Sequence, residues 1–126
     1  MKNLATFGRI LFGLPFGIIG LNHFLMKDVF LGMMSSFVPG GGFTIMLTGV
    51  ILILASISII INKYVVITCY SLASLLLLFI ITIHIPGLFD PKQFELALIE
   101  LLKDTGLMGG ALMIAAYYRT QNAKSE

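Results

Sequence analysis

The sequence predicts an all-α fold: a four-helix membrane bundle with an interfacial segment after the first helix and an extended, capped fourth helix. Of the 126 residues, 58% are hydrophobic and only 11% are charged, whereas soluble domains are about one-quarter charged. The apolar residues lie in four continuous segments without the alternation of barrel strands, and only helices or closed barrels satisfy backbone polar groups in lipid. Residues 1–126 are therefore predicted to form a single transmembrane domain.

The predicted spans cover residues 4–25, 43–61, 64–85 and 94–118. Crossing the hydrocarbon core takes roughly 20 residues in a helix. The first three segments are long enough, and the fourth reaches this length by including the FELALIELL run that precedes Thr105. The first segment is too long for a signal peptide and no small-residue cleavage pattern follows it, so we expect it to be retained.

The connections between spans carry local signals of their own. KDVFLGMMSSFVPGGG follows the first span and mixes Phe and Met with one charge pair, which fits a short interfacial helix or a re-entrant turn. In HIPGLFDPKQ, Asp90 suits a helix N-cap, Pro91 the first helical position and Gln93 the reciprocal capping-box position. The fourth helix is therefore expected to begin near Pro91, with an amphipathic, acidic section above the membrane.

Positive charge sets the expected orientation. Four spans place both termini on one side, and that side carries more lysines and arginines than the other: Lys2, Lys63, Arg119 and Lys124, with Arg9 if it snorkels, against Lys27, Lys92 and Lys103. The positive-inside rule then predicts a multi-pass protein with both termini in the cytoplasm.

Each predicted helix has one small or polar face, which favours close packing because small residues let helix backbones approach in lipid. Residues on one face follow from a rotation of about 100° per residue. The face of the first helix comprises Arg9, Gly13, Phe16, Gly17, Gly20 and His23, and that of the second comprises Thr44, Thr48, Ala55, Ser58 and Asn62. The face of the third helix comprises Tyr70, Ser74, Leu77 and His84, and that of the fourth comprises Gly106, Gly110, Met113 and Tyr117. All four faces are predicted to point into the bundle.

The stretch GRILFGLPFGIIGLNHF resembles the first helix of DoxX-like membrane proteins, with a basic residue near its start, then glycines and aromatics, then a polar exit. FVPG, the small-residue second helix and His84 near the end of the third helix agree with this resemblance. It implies a small four-helix inner-membrane protein linked to a thiosulfate:quinone oxidoreductase, to redox-defence complexes or to receptor assembly. Many such proteins carry an acidic residue in the second helix, where this chain has only hydroxyl side chains.

The candidate ligand-binding residues are Arg9, Asn22, His23, His84 and Asp90. The topology places His23 and His84 at the same, outer end of the bundle, so we expect the two imidazoles to line one outer-leaflet pocket closed by VPGGG and GLFDP. The alternative is two independent, hydrated histidines. Arg9 is predicted to point inward and bond to other helices, the alternative being a snorkelling anchor. For Asn22, helix capping or interhelical bonding is the alternative role.

The sequence also excludes several classes of chemistry. It has no nucleophile–base arrangement, no phosphate loop and no dense set of metal ligands, so no catalytic residue and no metal are predicted. The single cysteine, Cys69, excludes an intrachain disulfide relay, and there is no basic stripe for nucleic acid.

Three functions remain open. The first is an accessory, non-catalytic subunit of a quinone-linked membrane redox process, with quinone as its ligand. The second is an assembly factor or scaffold for another membrane protein. The third is a small lipid or solute carrier, which the lack of an acidic residue in the apolar spans disfavours. The expected partners are membrane lipids and either another membrane protein or a second copy of the chain.

Overall fold

The computed structural model describes residues 2–124, and no strand occurs within that range. The elements in chain order are α1 (Lys2–Leu25), α2 (Lys27–Met33), α3 (Gly42–Ile60), α4 (Val65–Phe79), a π-helical turn (Ile80–His84), α5 (Ile85–Gly87) and α6 (Phe94–Ala123). The predicted all-α class is confirmed.

Three helical stretches between residues 2 and 124 are long and apolar enough to cross a membrane. They are Lys2–Leu25, Gly42–Ile60 and Val65–Gly87, the last being α4, the π turn and α5 taken together. These agree with the first three predicted spans and indicate a membrane protein. The remaining long helix, α6, is interrupted by charged residues in its first half, and its role as a fourth span stays a prediction.

The helices pack mainly as two pairs, α1 with α3 and α4 with α6. The most deeply buried large side chains lie where these pairs meet: Phe16, Leu52, Ile59, Cys69 and Leu72. From α6 the small residues Ala111 and Ala115, both 0% exposed, pack against this cluster. The core therefore combines large side chains from three helices with a small-residue surface on the fourth.

The predicted inward face of α1 is confirmed. Its buried residues are Arg9, Gly13, Phe16, Gly20 and His23. The glycines are required because α1 and α3 approach closely: a Cβ on Gly20 would lie 2.8 Å from the Gly49 carbonyl oxygen, and a Cβ on Gly49 would lie 2.8 Å from that of Gly20. Neither position can hold a side chain unless the two backbones separate.

The predicted inward face of α4 is wrong. Tyr70, Ser74 and Leu77 are exposed, and the face that packs inward comprises Val65, Cys69, Leu72, Ala73 and Leu76. His84, which belongs to the same predicted face, is nevertheless buried.

The π turn explains this difference. Pro86 has no N–H to bond the carbonyl of Thr82, as an α-helix would require, and the helix widens so that Ile85 N–H bonds Ile80 O. The Thr82 carbonyl instead accepts a hydrogen bond of 2.6 Å from Ser35 Oγ. The wider turn contains one extra residue. Every residue before the turn is therefore rotated about the helix axis by about 100° relative to His84.

The predicted face of α6 is wrong at three of its four positions, and only Gly110 packs against another helix, where an added Cβ would lie 3.0 Å from Phe12 Cε2. Gly106 is exposed, as are Met113 (76%) and Tyr117 (41%). Alanines, rather than glycines, form the small face at this helix interface, and the buried residues are Ala97, Asp104, Ala111 and Ala115. On α3, Thr48 and Ala55 are buried as predicted, whereas Asn62 lies exposed beyond the helix end.

The segment after α1 forms the short helix α2 rather than a re-entrant turn. The predicted start of the last helix at Pro91 is wrong, because residues 91–93 form a turn and α6 begins at Phe94. The Asp90 carboxylate caps that turn, since its Oδ1 accepts from Lys92 N at 2.9 Å and its Oδ2 from Gln93 Nε2 at 3.1 Å.

Candidate functional site

Both histidines line one cavity of about 180 Å³, to which every long helix contributes. Its walls are mostly apolar, with Phe16, Ile19, Leu52, Leu76, Phe79 and Leu107 among them. The polar lining residues are His23, Thr44, Thr48, Thr82, His84, Glu100, Lys103 and Asp104. The lining is completed by Phe30 and Met33 of α2 and by Met34, which follows α2. Val38 of the predicted VPGGG closure also belongs to it. Among the described lining residues, none belongs to GLFDP.

His23 lies in the cavity wall as a buried side chain with a fixed orientation. Its Nδ1 is 2.8 Å from the carbonyl oxygen of Ile19, one turn earlier in α1. Because a carbonyl only accepts, Nδ1 carries the proton and donates it. The imidazole also stacks on Phe30 of α2, with ring centroids 4.0 Å apart. Nε2 has no hydrogen-bond partner among the described residues and, in the neutral ring, carries a free lone pair.

His84 forms a buried pair with Asp104 of α6. Its Nε2 lies 2.9 Å from Asp104 Oδ2, and both side chains are 7% exposed. The carboxylate accepts a hydrogen bond from Nε2–H, so the pair joins the π turn to α6 across the helix interface. Nδ1 of His84 is the second imidazole nitrogen without a hydrogen-bond partner in the described part of the chain.

His84, Glu100 and Asp104 also bring together three possible metal-ligand atoms, all within 4.8 Å of one another. Three protein ligands would suffice for a catalytic type of zinc site. However, the Lys103 ammonium contacts the Glu100 carboxylate and lies 3.8 Å from Asp104 Oδ1. A lysine therefore already supplies positive charge beside these carboxylates, and the donor set fits a network of hydrogen bonds and ion pairs better than a metal centre.

Arg9 lies towards the other end of α1 and points inward, as predicted. Its Nε donates to Tyr118 Oη at 2.8 Å, and its Nη1 donates to the carbonyls of Ile60, at 2.8 Å, and of Ile59. Those carbonyls close the C-terminus of α3, where backbone oxygens lack helical partners and the helix dipole is negative. The inward orientation is confirmed, and the geometry makes Arg9 a cap that joins α1, α3 and α6.

The remaining predicted ligand residues do not meet at the cavity. Asn22 is half-buried on α1, next to His23 but on another side of the helix, and Asp90 serves the turn before α6. Of the five residues predicted to bind a ligand, the structure brings only His23 and His84 together.

Asp104 is the cavity residue that sequence reasoning missed. The predicted helix four placed it with the charged residues above the membrane, whereas it is 5% exposed. The spacing along the helix could have identified it, because Asp104 lies about two helical turns before Ala111 and about three before Ala115, on the same face. A charged residue in register with a small-residue face indicates a buried polar contact.

Replacing Asp104 with alanine should lower the free energy of unfolding by about 1–2 kcal/mol, because the buried Nε2–H of His84 then loses its acceptor. Thermal unfolding of the purified protein in detergent measures this effect. Asp28→Ala is the matched control, since Asp28 is exposed on α2. Equal melting temperatures for the two variants would contradict the proposed buried pair.

No protein-family model matches the chain, and comparisons with curated proteins and with solved structures likewise find no match. The resemblance to DoxX-like proteins therefore stays a prediction.

Proposed function

We propose that this chain is a DoxX-like, four-span protein of a bacterial inner membrane that binds a quinone-type head group, as an accessory subunit of a membrane redox process. One observation carries the proposal: two imidazoles, each with an unpartnered nitrogen, line the same ring-sized apolar cavity. The protein positions the ligand and does not itself carry electrons.

The size of the cavity favours a single ring. At about 180 Å³ it is slightly larger than the cavity of roughly 150 Å³ that binds benzene in an engineered protein core. Apolar walls from Leu52, Leu76 and Leu107 suit the faces of such a ring. The histidines supply hydrogen bonds to its oxygen substituents. A longer lipid tail would extend into the surrounding membrane.

The fourth span is supported by matching depths. Arg9 and His23 are about 21 Å apart along α1, at a rise of about 1.5 Å per residue. Tyr118 and Asp104 are separated by the same number of residues along α6. Since Arg9 bonds to Tyr118 at one end, and His23 and Asp104 line the same cavity at the other, α6 runs antiparallel to α1 across the same depth. Four crossings would leave both termini on one side, and the excess of lysine and arginine there favours the cytoplasmic side.

Alkaline-phosphatase fusions test this topology. We expect a fusion at the C-terminus to be inactive in intact cells and an insertion between residues 88 and 93 to be active, because the enzyme matures only outside the cytoplasm. Strong activity of the C-terminal fusion would contradict four spans with cytoplasmic ends.

Binding is tested by thermal unfolding of the full chain in detergent with tetramethylbenzoquinone and with its reduced hydroquinone. At least one form should raise the melting temperature, as a ligand at 100 times its Kd stabilises by about 2.7 kcal/mol. Durene, tetramethylbenzene without the oxygens, is the control for nonspecific partition. If neither redox form exceeds durene, the quinone proposal fails and an assembly factor becomes the better hypothesis.

A further inference from the structure

We infer that the cavity selects the reduced, dihydroxy form of its ligand over the oxidised, dicarbonyl form. This inference rests on the proposed function, and it follows from which atoms of the lining still have unused hydrogen-bonding capacity. A quinone presents two acceptors, whereas the corresponding hydroquinone presents two O–H donors. The lining residues therefore discriminate between the two forms by whether they offer donors or acceptors.

Both imidazoles offer acceptors. Nδ1–H of His23 is used by the Ile19 carbonyl at 2.8 Å, which leaves Nε2 as a lone pair in the neutral ring. Nε2–H of His84 is used by Asp104 at 2.9 Å, which leaves Nδ1 as a lone pair. Each backbone or carboxylate partner thus fixes the tautomer of its imidazole, as such partners do for metal-bound histidines.

The other polar lining groups add few free donors. The hydroxyl of Thr44 donates to Pro39 O, and that of Thr82 donates to Leu78 O. The Lys103 ammonium uses one of its three N–H donors on Glu100 and lies 3.8 Å from Asp104, and both carboxylates are themselves acceptors. The Thr48 hydroxyl can donate or accept. With both histidines neutral, the cavity is rich in acceptors.

A dicarbonyl ligand has no hydrogen to donate to the imidazole lone pairs, whereas a hydroquinone can donate to them. Sites built to bond a ligand hydroxyl reject analogues that lack it by factors of about 10⁴ or more. Since this cavity is formed by side chains from several helices that can adjust, we expect at least about a tenfold tighter Kd for the hydroquinone.

The test compares tetramethylhydroquinone, its dimethyl ether and tetramethylbenzoquinone by calorimetric titration of the full chain in detergent. The titrations are anaerobic and at pH 8, above the ordinary imidazole pKa of about 6.5. Full ring substitution prevents addition of Cys69 to the quinone. The hydroquinone should bind at least about tenfold more tightly than either other compound. Equal affinities, or tighter binding of the quinone, would overturn the inference while leaving the proposed function intact. Binding of none of the three would remove the proposed function itself.

A variant and a spectroscopic measurement locate the effect. His23→Gln supplies an amide that can turn to donate or accept, so the preference for hydroquinone should fall at least severalfold; an unchanged preference would contradict the assignment to His23. Nitrogen NMR of the histidine-labelled wild type at pH 8 should show protonated Nδ1 and unprotonated Nε2 for His23, with the reverse for His84. The opposite tautomers would overturn the inference without any variant.

Discussion

Replacing Arg9 with glutamine is expected to lower the free energy of unfolding by about 3 kcal/mol or more. The guanidinium is 6% exposed and donates to Tyr118 Oη and to the last two carbonyls of α3. Hydrogen bonds that involve a charged group contribute about 1.5–3 kcal/mol each, and Ile59, whose carbonyl loses one of them, is itself buried. The effect is measured as the shift in thermal or denaturant unfolding of the purified protein in detergent.

The shape of the guanidinium should matter as well as its charge. Arg9→Lys keeps the charge but replaces a planar fork of donors with a compact ammonium, which cannot reach Tyr118 and the α3 carbonyls together. We expect it to lose about half as much stability as Arg9→Gln. Arg119→Gln, at an exposed position on α6, is the control and should change little. If Arg9→Lys and Arg9→Gln both unfold like the wild type, Arg9 is only a topology anchor.

For α1 and α4, the accuracy of the predicted inward face followed the regularity of the helix. The face of α6, which is a regular helix, was missed because alanines pack inward where glycines were expected. The inward face of α1 was predictable because Arg9 to His23 keeps ordinary helical spacing, despite Pro15 inside the helix. On α4 the same arithmetic failed because Pro86 widens the preceding turn. A proline near a helix end predicts a break, and nothing in the local pattern shows that the chain instead continues through a π turn held by Ser35.

The pairing of His23 with His84 was predictable for a different reason. It relied on depth rather than on rotation. Both residues lie near the ends of spans predicted to run in the same direction, so they are expected at one level whichever way each helix faces. The shifted face of α4 does not change this. The partner of His84 was not predictable in this way, because Asp104 belongs to a stretch of α6 with charged residues on both sides. Only packing against α4 and the π turn distinguishes its buried carboxylate from the exposed neighbouring side chains.

The close approach of α1 and α3 gives the second large effect. Replacing Gly49 with alanine should lower the free energy of unfolding by about 2–3 kcal/mol, the upper part of the range for overpacked positions. The new Cβ would lie 2.8 Å from Gly20 O, from His23 Cβ and from Phe24 Cε2. A side-chain ring can rotate away, but the Gly20 carbonyl is part of the α1 backbone, so the two helices must separate.

Gly109→Ala on α6 is the matched control, because no atom lies within 4 Å of a Cβ added there. Alanine at an exposed helical glycine should be neutral or stabilise by about 0.5–1 kcal/mol. The two identical substitutions are thus expected to have opposite signs in the same unfolding experiment. Because the Cβ at Gly49 also presses on His23, Gly49→Ala should weaken hydroquinone binding, and Gly109→Ala should leave it unchanged. If Gly49→Ala is as stable as Gly109→Ala, α1 and α3 do not meet at this distance, and the cavity wall that depends on their contact would have to be placed differently.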